Sequence, residues 1–330
     1  MFRFLVFLAL LLTGCPRTPE GLADAKVGDW VDYRWTSREE VPINPRCSEQ
    51  ACGADGTERR ELSARVRVQV VARDETTATL LATIVPEEAG LFHRSLTRGV
   101  VLAVRLDGVD PPADSAYGKP HRGEPVLVGD ARLACKYTSA ETLAPCLAPG
   151  RLLAGGGVAR VDLESLHATF AAVGEGHDTP APIPADAVPG FTEGAWAEWR
   201  FPDPGGFIQH TRWRSQHGLV LREGSRGGGP SFTTARQPVA FLAELMTDSR
   251  QTLRPAESKV TTWKGQPARS HLSAPTPSVH LEETWLAADA TPPADLPLFP
   301  SVNVVSSVRQ EPRTDRLMVG NEGRLVGWGR

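Results

Sequence analysis

The sequence has no cluster of basic residues, no recognisable catalytic signature and no apolar run near the roughly 20 residues that a membrane-spanning helix needs. Each absence excludes something. Lys and Arg number 36 against 39 Asp and Glu, for a formal charge of −3, and the arginines are scattered among acids. A nucleic-acid partner calls for a clustered basic face, so that class is set aside. The eight histidines (93, 121, 167, 177, 210, 217, 271 and 280) are dispersed, and no His-Glu-x-x-His occurs. His210 and His217 read as lying near one hairpin turn, and His271 and His280 as facing one another across another. The nearest text to a nucleophile elbow, Glu223-Gly224-Ser225-Arg226-Gly227, lacks the first glycine and the following helix. Neither Gly155-Gly156-Gly157 nor Gly227-Gly228-Gly229 is followed by Lys-Ser/Thr, so both read as turns or bulges. Glu87-Glu88 and Glu282-Glu283 are adjacent, which on a strand sends the two carboxylates to opposite faces. No catalytic residue, cofactor or metal is expected.

What is present begins at the N-terminus. Arg3 supplies a short positive region, Phe4 to Leu12 is an uninterrupted apolar run, and Leu12-Thr13-Gly14-Cys15 follows. Nine apolar residues suit the core of a secretory signal. Small residues beside a cut, followed by a cysteine whose thiolate is the nucleophile, suit cleavage coupled to acylation. These four residues resemble the lipobox of bacterial lipoproteins, a match covering residues 1–15. The resemblance implies removal of residues 1–14 and a diacylglycerol and an acyl chain such as palmitate on Cys15. Loss of Arg3, the only charge in residues 1–14, would leave −4. Residue 16 is Pro, not Asp, so the inner-membrane retention signal known for such proteins is absent and the outer membrane is the expected address.

Four further cysteines remain: Cys47, Cys52, Cys135 and Cys146. An even number in an oxidising compartment suggests disulfides. Of three possible pairings, Cys47–Cys52 with Cys135–Cys146 is expected, since each pair sits in one local segment and closes a small loop. Zinc prefers tighter spacing, twice over.

The body reads as mainly β. Hydrophobic residues make up 41%, enough for a core, and 31 Gly with 28 Pro suit many turns and short strands rather than long helices. An octet recurs: Gly28-Asp29-Trp30-Val31-Asp32-Tyr33-Arg34-Trp35 matches Gly194-Ala195-Trp196-Ala197-Glu198-Trp199-Arg200-Phe201. Strand alternation puts Trp30, Asp32 and Arg34 on one face and Val31, Tyr33 and Trp35 on the other, more apolar one. The second copy keeps the scheme. Each octet is followed by a meander. In the first half Ser63–Val71, a turn at Asp74-Glu75-Thr76 and Thr77–Val85 read as strand, turn, strand. In the second, a turn at Asp203-Pro204-Gly205-Gly206 precedes Phe207–Trp213 and Leu219–Glu223, joined by a turn at residues 215–218. Farther on, Gly129–Thr138 corresponds loosely to Gly265–Ser273. Val158–Val173 with Gly174-Glu175-Gly176 corresponds to Val302–Val319 with Gly320-Asn321-Glu322-Gly323. The best helix is Val239–Met246, just after Pro238.

The expected organisation is a signal peptide over 1–14, a lipidated tether over 15–24, a β-rich domain over 25–178, a Pro-rich linker over 179–192 and a second β-rich domain over 193–330. The fold expected is two tandem, duplicated antiparallel β-rich domains, open half-barrel or sandwich-like, with little helix. In architecture alone they resemble the half-barrels of periplasmic lipoprotein carriers and receptors. The functional expectation is a lipid-anchored envelope protein that binds an envelope protein, a lipid or a saccharide, or plays a structural part, without catalysis. Its candidate surfaces are edge strands and the aromatics Trp30, Tyr33, Trp35, Trp196, Trp199 and Phe201, which alternation equally assigns in part to the core. A lipid or lipoprotein carrier with an apolar cavity is the alternative, and an envelope hydrolase without a known motif is a third.

Overall fold

The computed structural model describes residues 21–329, apart from 43–56, 89–90, 93, 107–120, 123, 138–143, 149, 164–166, 192, 203–207, 217–218, 226–231, 250–257, 264, 277–278, 287–303 and 314–315. The protein is mainly β, as expected.

The first half opens with a four-stranded meander: β1 (Asp29–Pro42), β2 (Thr57–Arg73), β3 (Thr77–Pro86) and, after the short helix α1 (Arg94–Thr97), β4 (Val100–Arg105). Short strands follow: β5 (His121–Arg122), β6 (Val126–Val128), β7 (Ala131–Leu133), β8 (Lys136–Tyr137) and β9 (Ala144–Leu147). Then come β10 (Val158–Leu163), β11 (Ala168–His177) and β12 (Val188–Phe191). The second half repeats the opening with β13 (Trp196–Pro202), β14 (Ile208–Gln216), β15 (Leu219–Ser225) and β16 (Phe232–Arg236). The helix α2 (Pro238–Ser249) precedes β17 (Ser258–Trp263), β18 (Gln266–Thr276), β19 (Val279–Leu286), β20 (Val304–Arg313) and β21 (Arg316–Gly329).

The two large sheets have one topology. Their orders are β12-β4-β3-β2-β1-β11-β10-β9-β8-β5 and β16-β15-β14-β13-β21-β20-β19-β18-β17. Leaving out β12, each is a four-stranded meander whose first strand pairs with the last strand of its own half. The fourth strand is an addition to the sequence reading, which stopped at three. The register also repeats: Trp30 faces Gly176 and Asp32 faces Gly174, with a shift before Tyr33. Trp196 faces Gly329 and Glu198 faces Gly327, with a shift before Trp199. The bulged residues Val173 and Val326 are both exposed. This corrects the sequence match. The counterparts of Gly174 and Gly176 are Gly327 and Gly329, not Gly320 and Gly323, because the bulge and not the spacing of glycines aligns the ladders.

Alternation sorts the first octet as expected: Val31, Tyr33 and Trp35 are fully buried. Tyr33 stacks on Phe170 at 4.4 Å and donates its hydroxyl to the Val158 carbonyl at 3.0 Å. Burial, with the Glu175 charge nearby, pushes its phenol well above the ordinary range. The hydroxyl lies so close to Gly155 that a side chain there would overlap it.

The helix α2 joins the halves. Pro238 sits in its first turn, where no amide donor is missed, and Val239, Ala240, Phe241, Leu242, Ala243, Leu245 and Met246 are buried all round. Phe241 packs on Trp213 of the second sheet, centroids 5.2 Å apart. Thr247 accepts a 2.9 Å hydrogen bond from the Trp35 indole of the first sheet. Full burial contributes about 1.5–3 kcal/mol for each such large apolar side chain, so α2 is a principal tie between the sheets.

The Pro-rich stretch is fastened rather than free. Gln69 donates to the Thr179 carbonyl at 3.3 Å and accepts from the Ala181 amide at 2.9 Å. Asp186 pairs with Arg98 at 3.5 Å, and β12 adds in parallel to β4. At the other end of the chain, residues 22–24 form a 3-10 turn.

Candidate functional surface

On the outer face of each sheet the octet builds the same cluster. Arg67 of β2 stands opposite Asp32 and bonds its carboxylate through Nε at 2.6 Å and Nη2 at 2.7 Å. Its guanidinium carbon lies 4.2 Å from the centre of the Trp30 ring. The hydrogen bond to Asp32 holds Arg67 above its ordinary pKa. In the second sheet Arg212, opposite Glu198, lies 4.6 Å over Trp196. Glu198 accepts from Arg200 Nε at 3.0 Å and contacts His210 Nδ1 at 3.3 Å. Burial pushes Glu198 up, but these two partners outweigh it and leave its carboxyl below the ordinary range.

Beneath each indole run two glycines. A Cβ on Gly176 would come 2.5 Å from the Trp30 ring, and one on Gly327 would come 3.0 Å from that of Trp196. Each tryptophan therefore covers bare backbone on the last strand while an arginine lies over it. The rings are taken up by the chain itself, so Trp30 and Trp196 are clamps between first, second and last strands rather than open ligand platforms.

A different feature offers a site. Beyond the middle of β1 a groove of about 550 Å³ is lined by Thr36, Arg38, Glu61, Arg160, Asp162 and Thr169, among others. Arg38 and Glu61 are cross-strand partners, and Arg160 Nε donates to Asp162 at 2.8 Å. His167, at a positive φ of 48°, turns the chain there, and its carbonyl accepts from the Arg38 amide at 3.0 Å. Two guanidinium groups, two carboxylates and three hydroxyls in one open groove suit a polar or charged group bearing donors and acceptors, not an acyl chain. A second hollow of about 360 Å³ lies beside Trp196, with Arg212, Arg214 and Glu193 on its wall.

Of the residues singled out from sequence, Tyr33 and Trp35 are core, and Trp30 and Trp196 are outer-face clamps. Trp30 and Trp35 thus lie on opposite faces and form no common cluster. The octet strands β1 and β13 lie inside their sheets, and the edges are β12, β5, β16 and β17. Trp199 and Phe201 belong to β13, but their side chains lie outside the described residues, as do Cys15, Cys47 and Cys52. Cys135 and Cys146 form a disulfide, with Cα atoms 5.4 Å apart. The register sets His271 opposite Glu283 and His280 opposite Gln310, so those two histidines do not face one another. Among the described residues no three His, Cys, Asp or Glu side chains gather as metal ligands. Sequence reading missed Arg67, Arg212 and the groove. The first two carried a signal, an arginine on the strand after each octet; the groove joins four strands and carried none.

No protein-family model matches the chain, and no curated protein sequence matches it.

Proposed function

We propose that this protein is a lipid-anchored lipoprotein of the cell envelope, acylated at Cys15, held at the outer membrane, and serving as a binding or structural protein rather than a catalyst. The observation that carries the reading is Leu12-Thr13-Gly14-Cys15 directly after a nine-residue apolar run. Two features support the binding half of the reading. The inner face of the first sheet is occupied by α2, which favours recognition on outer surfaces over an apolar carrier cavity. The groove between Arg38, Glu61, Arg160 and Asp162 offers paired charges for a polar partner in the envelope.

The test is Cys15→Ser in cells, read by membrane fractionation and intact mass. Wild type should fractionate with membranes and carry the mass of a diacylglycerol plus an acyl chain. The variant should lose both. A variant that stays membrane-bound, or a wild type with a free thiol at position 15, overturns the proposal.

A further inference from the structure

We propose that the end of the first sheet formed by residues 21–28, the Asp74–Thr76 turn and the loop 150–157 is the membrane-facing end, so that the charged groove stands farther from the bilayer than this end does. This rests on acylation of Cys15.

The described body is fastened close in sequence to the anchor. Arg73 Nη2 donates to the Ala23 carbonyl at 2.6 Å and Nη1 donates to that of Ala25. Ala25 is fully buried, the Lys26 amide bonds Asp29 Oδ2 at 2.7 Å, and the Gly28 amide bonds the Val70 carbonyl at 2.8 Å. Gly21 packs against Gly156, so closely that a methyl group on Gly21 would meet the Gly156 backbone at 3.4 Å. Six Cα–Cα steps separate Cys15 from Gly21. Whatever conformation they take, they cannot span more than about 20 Å.

The groove lies beyond the middle of the same strand, on its outer face. From Asp29 to Arg38, at about 3.3 Å per residue, is about 30 Å. A tether of about 20 Å at most keeps the clamped end beside the bilayer and cannot let the molecule stand on its opposite end. Charge does not compete with this constraint. Among its described residues the near end sets Lys26, Arg73 and Arg151 against Asp24, Asp74 and Glu75, with Arg151 paired to Glu175, so no basic patch there draws it to lipid. Val27, 38% exposed beside Lys26, is its apolar tip and suits the headgroup region. Tether length, and not field, sets the contact.

The test uses the full lipidated protein in phosphatidylcholine–phosphatidylglycerol vesicles. A fluorophore is placed at Glu75→Cys, in the near turn, or at Glu87→Cys, just beyond β3 at the far end, and quenched by a headgroup-labelled lipid. Quenching at position 75 should be several-fold stronger and unaffected by salt. Inserting a flexible Gly-Ser segment between Thr18 and Pro19 should abolish the difference while the protein still floats with vesicles. If wild type floats but both positions quench alike, the orientation is wrong and the anchor stands. If wild type does not float, or floats as well with Cys15→Ser, the anchor itself is wrong and the orientation falls with it.

Discussion

Trp30 lies flat against Gly176, its partner across the β1–β11 ladder, so closely that a methyl group on that glycine would sit 2.5 Å from the ring. The first and last strands of the half are thereby joined by an indole where a second side chain would ordinarily stand. Trp196 and Gly329 repeat the arrangement in the second half. A repeated octet is thus the visible part of a repeated three-strand clamp, completed by Arg67 and Arg212.

Gly176→Ala should therefore destabilise the protein by about 1–3 kcal/mol, the usual cost of overpacking. Gly174→Ala should cost clearly less, because its added methyl would meet the ring at an ordinary 3.7 Å. Urea unfolding followed by tryptophan fluorescence distinguishes them. Equal losses would mean that the Trp30 ring is not seated on Gly176.

The Trp35–Thr247 hydrogen bond tests the union of the halves. Thr247→Val keeps the shape of the side chain but strands a buried indole N–H, which costs about 1–3 kcal/mol. Thr247→Ser restores an acceptor and should recover most of that loss. Because α2 lies in the core of the first sheet, circular dichroism and Trp fluorescence should report the loss in one shared transition. Two separate transitions, with only one of them shifted by the substitution, would refute the shared core.

Removing the Cys135–Cys146 disulfide by a double Cys→Ala change opens a loop of sequence separation 11. The chain-entropy account gives a loss of roughly 3 kcal/mol for a loop of this size. Thermal unfolding with and without reductant checks it. Insensitivity of the wild-type midpoint to reductant would show that the bridge does not contribute.

Glu198 sets an acid limb. Its carboxyl is lower in the folded protein than in the unfolded chain, so its contribution is complete above the ordinary carboxylate range and is lost as pH falls through the folded value. Asp74, held low by the amides of Thr76 and Thr77, acts in the same direction. Urea midpoints measured from about pH 6 down to pH 3 should fall, and Glu198→Gln should flatten part of that fall while lowering the midpoint near neutrality. An unchanged slope would remove Glu198 from the account.

Local chemistry dictated a good deal here. Period-two alternation alone buries Val31, Tyr33 and Trp35, because a pleated strand must send successive side chains to opposite faces. An apolar run after Pro238 makes α2, and Asp74-Glu75-Thr76 makes a turn through the Asp74 carboxylate and its amide partners. Two cysteines eleven residues apart in one segment sufficed for the Cys135–Cys146 bridge. Other features required the folded chain. That α2 fills the first sheet depends on Thr247 meeting Trp35, 212 residues away, and no periodicity encodes a contact at that separation. The pairing of Trp196 with Gly329 rather than an earlier glycine follows from a bulge, whose single extra residue resets the ladder. The groove takes its walls from β1, β2, β10 and β11, so it exists only once those four strands lie side by side. Faces are a property of neighbours in sequence, whereas docking and register belong to neighbours in space.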